Sequence, residues 1–132
     1  MYKCKVFPYP IGSTRPDRVM PGALQFIKDW EAETAGGRPF VTVKCFGQVA
    51  KVFIGPGFRH IRESRNILDV ARRFRLLPCV RELLMETTEE PVRTRDRNLM
   101  LEGKAPTNEL FHVILGEERE GYRLITFYPV QK

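Results

Sequence analysis

Imidazole is scarce in this chain, whose 132 residues include two histidines, His60 and His112. Proton transfer or metal ligation by histidine is therefore confined to two positions. Cysteine is nearly as sparse. Cys4, Cys45 and Cys79 are odd in number, widely spaced and without a CxxC pair, which argues against a disulfide framework and against structural zinc. They are expected as buried free thiols, Cys45 inside a strand. No apolar run approaches the ~20 residues of a membrane span. The start, MYKCKVFPYP, lacks the continuous hydrophobic segment of a signal peptide. A cytoplasmic chain, or one delivered into a target cell's cytoplasm, is expected, with no membrane partner. P-loop, GxGxxG, HExxH, GxSxG and zinc-finger spacings are all missing. Neither a cofactor nor a metal is expected.

What is present is arginine, unevenly placed. The formal charge is +6, but from Lys51 to Arg81 eight basic residues face two acidic ones. From Pro91 onward the count is seven against six. A basic segment inside a nearly neutral domain points to a local anionic partner, nucleic acid ahead of lipid or protein. The centre of that segment is FRHIRESRNILDVARRF, Phe58 to Phe74. At helical spacing Ile61, Ser64, Ile67 or Leu68, Ala71 and Phe74 share a face, and Arg62, Arg65 and Arg72 follow a neighbouring one. Asp69 lies four residues from both Arg65 and Arg73. With Gly55-Pro56-Gly57 taken as a turn, Arg59 and His60 open the helix. There they oppose its dipole at a cost of ~0.3–1 kcal/mol each.

At this length the chain forms a single domain over 1–132, burying roughly two thirds of its unfolded surface. Residues 1–40 read as an extended, proline-rich arm followed by a helix from about Pro21 to Ala35, ended by Gly36-Gly37. PFVTVKCFG and QVAKVFIGP read as strands, joined by a hairpin at Gly47-Gln48 or forming one longer bulged strand. Leu76-Leu77-Pro78 breaks the basic helix, and Pro78 suits the start of a shorter one with Val80, Leu83 and Leu84 inward. VRTRDRNLMLE has period two, with Arg93, Arg95, Arg97, Leu99 and Leu101 on one side. ELFHVILG and GYRLITFYPV then close an antiparallel meander. The fold class is α+β: N-terminal helices packed on a curved antiparallel sheet of about four strands.

RNA cleavage without metal has simple requirements. The 2′-hydroxyl attacks the adjacent phosphorus, which calls for a proton acceptor near neutral pKa and cations for the phosphate oxygens. His60 supplies the first, in an arginine-lined setting, and Arg59, Arg62 and Arg65 supply the second with guanidinium forks that match phosphate. Arg72, Arg73, Arg93 and Arg95 are further cations for binding substrate. In the last strand, alternation puts Tyr122, Leu124, Thr126 and Tyr128 on one side, so two hydroxyls stand together at its end. Thr126 can fix a phosphate oxygen, and Tyr128 can stack a base. His112 alternates with Phe111 and Val113 and falls on the face of Leu110 and Ile114, an ordinary place for a core or groove histidine.

The series FRHIRESR, RLLPCVRELLMETTEEPV and ELFHVILGEEREGYRLITFYPV resembles the Barnase–EndoU–ColicinE5/D–RelE (BECR) nuclease superfamily, in its phage-associated and polymorphic-toxin branches. The resemblance covers 41–130, an RNase-like core, and leaves 1–40 outside. It implies a metal-independent endoribonuclease, often a toxin and in some members directed at tRNA, with N-terminal helices before an antiparallel sheet. It places His60, Thr126 and Tyr128 at the site and implies an acidic inhibitor or immunity protein as partner. Where relatives often carry a second histidine or another basic residue, this chain has Arg62 and Arg65, so the general acid is unassigned. Two other readings stay open: a non-catalytic RNA- or DNA-binding domain, and a phage or protein-interaction module with a basic docking face.

Overall fold

The computed structural model describes residues 1–130. In chain order these form β1 (Tyr2–Lys3), α1 (Pro16–Glu31), β2 (Phe40–Val43), β3 (Ala50–Phe53), α2 (Gly55–Arg62) and α3 (Ile67–Phe74). They continue as α4 (Leu77–Glu86), β4 (Val92–Arg93), β5 (Leu99–Lys104), β6 (Leu110–Glu118) and β7 (Gly121–Pro129). The α+β class stands, and so does the β5–β6–β7 meander. The sheet, however, has seven strands in the order β1-β5-β6-β7-β3-β2, with β4 also on β5. It is mixed, because β1–β5 and β3–β7 run parallel. The expectation of about four antiparallel strands is thus corrected. Parallel partners far apart in sequence leave no local turn signal, and two-residue strands leave no period.

The basic stretch is two helices rather than one. α2 starts at Gly55 with Pro56 in its first turn and ends at Arg62. Asn66 then caps α3, its side chain accepting a hydrogen bond from the Asp69 amide. This reverses the dipole argument. Arg59 and His60 lie in the last turn of α2, where the helix favours a positive charge. The break also turns Ile67 and Leu68 outward, 50% and 66% exposed, so they leave the core face expected of them. α1 likewise begins at Pro16, ends at Glu31 and contains Pro21, while Val19, Ala23, Ile27 and Trp30 bury its inner face.

Gly55-Pro56-Gly57 is the packing point of α2 rather than a turn. A Cβ on Gly57 would lie 2.5 Å from Leu124 Cγ and 2.9 Å from the Leu124 carbonyl oxygen. Gly57→Ala gains up to ~1 kcal/mol of helix propensity. It also forces α2 off β7, at ~1–3 kcal/mol. The second effect dominates because a backbone oxygen cannot rotate away. A lower urea midpoint is the expected result; an unchanged or higher one would show that α2 is not seated this closely.

Two other segments differ from their reading by period. The strand expected across VRTRDRNLMLE is a hairpin. Thr94 N–H donates to Asn98 O at 2.8 Å, and Arg97 takes a positive φ of 65°. The arginines of 93–97 therefore form no stripe, and β5 runs from Leu99 through Gly103 and Lys104. In β7, the register passes from Ile114↔Thr126 to Leu115↔Leu124, which leaves Ile125 as an extra residue. Leu124 and Phe127 consequently face the helices in the buried core, while Thr126 and Tyr128 turn to the opposite, partly shielded face. The single side proposed for Tyr122, Leu124, Thr126 and Tyr128 is divided by that bulge. The ambiguity over β2 and β3 resolves as an antiparallel hairpin across 44–49.

All three cysteines are buried free thiols. Cys45 lies just beyond β2 rather than within it, and burial pushes its thiol up to about 11. Cys4 Sγ donates to Cys79 O (3.6 Å) and Cys79 Sγ to Val6 O (3.3 Å), attaching the N-terminal arm to α4. The arm is held again by Arg75, which is 5% exposed. Its Nε donates to Pro10 O and its Nη2 to Ile11 O, and both Nη groups reach the Glu109 carboxylate at 2.7 and 2.9 Å.

Candidate functional site

The site is built where β7, still paired with β6 on one edge, loses its strand neighbour on the other. β3 pairs with β7 only at Tyr122 and Arg123. Beyond that point α2 and α3 pack beside β7 instead. Arg73, in the last turn of α3, reaches across that edge and donates from Nη1 to Thr126 Oγ1 at 2.8 Å. Its guanidinium carbon is 5.7 Å from the centre of the Tyr128 ring. One turn earlier, Asp69 accepts from Arg73 Nε and from Arg72 Nη2, each at 2.9 Å. Asp69 therefore fixes the fork, and the bulge at Ile125 supplies the hydroxyl that meets it.

The outer face continues across the sheet from Tyr128. Register places His112 opposite Tyr128 on one side and opposite Glu102 on the other. The imidazole meets the Tyr128 ring edge-on, with centroids 5.7 Å apart, and its Nε2 lies 3.1 Å from Glu102 Oε2. The His112 side chain is 17% exposed and that of Glu102 42%. The expectation of a groove histidine fits this placement, but Glu102 has no counterpart in the sequence reading. Only the β5–β6 register reveals it, and that register depends on the loop 105–109.

Arg73 also lines an open cleft of about 340 Å³, together with His60, Ile61, Glu63, Ser64 and Asp69. His60 is exposed there, and so are Arg59, Arg62 and Arg65. Among the described residues these three arginines make no ion pair. Arg73 thus meets Thr126 and Tyr128 at the end of β7 and lines the same cleft as His60. Arg72 joins them through Asp69, with its Nε buried and without a hydrogen-bond partner. Arg93 and Arg95 are not brought in. β4 lies beyond β5 and β6 from β7, Arg93 is turned to Glu117 at 2.9 Å, and Arg95 is exposed in the turn that follows β4. A larger hollow of about 730 Å³, beside β3 and the β6–β7 turn, is lined by Glu117, Glu118 and Glu120. Both hollows carry carboxylates, Glu63 and Asp69 in the smaller, but the smaller is also lined by His60 and by the Arg73 guanidinium that Asp69 and Thr126 fix.

Comparisons of the chain with protein-family models, with curated proteins and with solved structures give no match.

Proposed function

We propose that this chain is a metal-independent endoribonuclease that cleaves through attack of the 2′-hydroxyl, leaving a 2′,3′-cyclic phosphate. The observation that carries the reading is Arg73. Its guanidinium is fixed by Asp69 and Thr126 beside the Tyr128 ring, it lines one cleft with His60, and His112 meets the same Tyr128 ring. A fixed guanidinium binds the phosphate oxygens, an imidazole takes the hydroxyl proton, and Tyr128 offers a face to a base. Arg59, Arg62 and Arg65 extend the positive surface along α2 and its exit. The BECR resemblance belongs to the same proposal, together with a toxin role, tRNA as one substrate and an acidic inhibitor meeting the basic face.

The unpaired arginines also favour a second reading, a domain that binds RNA without cutting it. Incubation in EDTA with total tRNA and a labelled single-stranded RNA separates the two. Fragments ending in 2′,3′-cyclic phosphate are the expected result. A salt-sensitive gel shift without fragments would leave the binding domain, and neither signal would remove RNA from the account. Under either nucleic-acid reading, each of Arg59→Ala, Arg62→Ala and Arg65→Ala should reduce the salt slope of binding by about one if its guanidinium contacts a phosphate.

A further inference from the structure

The chain has two histidines, and the fold treats them differently. His60 is exposed on the last turn of α2, and among the described residues no hydrogen-bond partner fixes its ring. His112 is held on three sides: by the strand beneath it, by the Tyr128 ring edge, and by Glu102 Oε2 at 3.1 Å. A carboxylate oxygen accepts, so the bonded Nε2 carries a proton and the neutral ring keeps its lone pair on Nδ1. Tyr128 lies within 5.7 Å of both this imidazole and the Arg73 guanidinium, each measured to the ring centre. We infer that His112, oriented by Glu102, is the general base of the site, acting on the 2′-hydroxyl of a nucleotide whose 3′-phosphate rests on Arg73. This rests on the ribonuclease reading above and names the proton acceptor within it.

The geometry suits the substrate because the attacking hydroxyl and the attacked phosphate are neighbours on one ribose. A nucleotide laid along Tyr128 presents its phosphate to the guanidinium and its sugar to the imidazole. Nδ1 takes the 2′-hydroxyl proton, the 2′-oxygen bonds to phosphorus, and the bond from phosphorus to the 5′-oxygen breaks. The leaving oxygen takes a proton from water, and the imidazolium neutralises the hydroxide left behind. A cyclic phosphate and a 5′-hydroxyl result, with no change of oxidation state. Glu102 acts as a positioning residue: it selects the tautomer and stabilises the charge that develops on the ring. Preorganisation is what distinguishes His112 from His60, since a base already held in place avoids the cost of ordering a free side chain in the transition state.

The test uses the full chain in EDTA with a labelled single-stranded RNA, comparing wild type, His112→Asn, His112→Ala and Glu102→Gln. Near-ultraviolet circular dichroism and thermal melting establish that each variant is folded. Both His112 variants should lower kcat by ~10²–10⁴-fold. KM should change by less than about threefold, and free imidazole should restore part of the activity of His112→Ala. Glu102→Gln should lose about tenfold and add little to His112→Asn. A folded His112 variant that cleaves at the wild-type rate overturns the assignment while leaving the ribonuclease reading in place. So does loss of cleavage in His60→Ala with none in His112→Asn, or a His112 defect that imidazole fails to rescue and that appears mainly in KM. No cleavage by the wild type overturns both the inference and the reading beneath it.

Discussion

Arg75→Ala should cost about 3–5 kcal/mol of folding stability, because it removes a buried guanidinium that makes four charge-assisted hydrogen bonds. Arg75 is 5% exposed and sits where α3 passes into α4. Its removal leaves Glu109 without its bidentate partner and deprives the Pro10 and Ile11 carbonyls of their donor. Against a total of ~5–15 kcal/mol for a domain, that is a large share. Thermal melting should fall by more than ~10 °C. Glu109→Gln should also destabilise: its amide oxygen still accepts a hydrogen bond, but the buried Arg75 guanidinium is left without its counter-charge. If Arg75→Ala melts within about 3 °C of wild type, the clamp is not what holds the arm.

The same pair sets a pH signature. Hydrogen bonds from Arg75, opposed by burial and aided by Thr107, hold the Glu109 carboxyl below the usual range. A folded-state value below the unfolded one means the stabilisation is present above the unfolded value, near 4.3, and is lost as pH falls through the folded one. Urea midpoints of the wild type should therefore decline below about pH 4.5. In Arg75→Ala the Glu109 part of that slope should disappear. Glu82 is also lowered: burial alone would raise it, but hydrogen bonds from Tyr2 and from the Val6 and Lys5 amides outweigh that effect. Some acid sensitivity therefore persists in the variant.

How much of this was legible in the sequence depended on whether the signal was local. Val80, Leu83 and Leu84 were placed inward because period and Pro78 agree over one short helix. The meander was legible because β6 and β7 are joined by a short polar turn. The break at 63–66 was not. Period alone carries Ile61 through to Phe74 on one face, and it takes no account of Asn66, whose cap restarts the helix. Thr126 and Tyr128 were picked out for two hydroxyls at one strand end, and they do stand together. Their side was wrongly shared with Leu124, because a one-residue bulge is invisible to alternation. Arg73 was only one cation among several until α3 was seen against the unpaired edge of β7. Glu102 stayed hidden because its partner lies across a strand pair.

Arg73→Ala should lower cleavage by ~10²–10³-fold, the effect of losing one preorganised donor group at a developing negative charge. The competing expectation is that Asp69 already neutralises Arg73 and leaves nothing for a phosphate. The count of charges decides against it. Asp69 is shared by Arg72 and Arg73, so the trio keeps one net positive charge. Nε and one Nη1 hydrogen are committed to Asp69 and Thr126, and the remaining N–H groups of the fork are free to meet phosphate oxygens. Arg73→Lys keeps the charge but not the planar fork, and should recover binding more than turnover. Asp69→Asn separates the two roles of the carboxylate. It raises the local charge, so RNA should bind more tightly and with a steeper salt dependence. It also releases the guanidinium from its fixed angle, so kcat should fall. Opposite movements of affinity and turnover would mark Asp69 as the group that aims Arg73. A parallel loss of both, in a protein that still melts like the wild type, would place the phosphate elsewhere on the basic face.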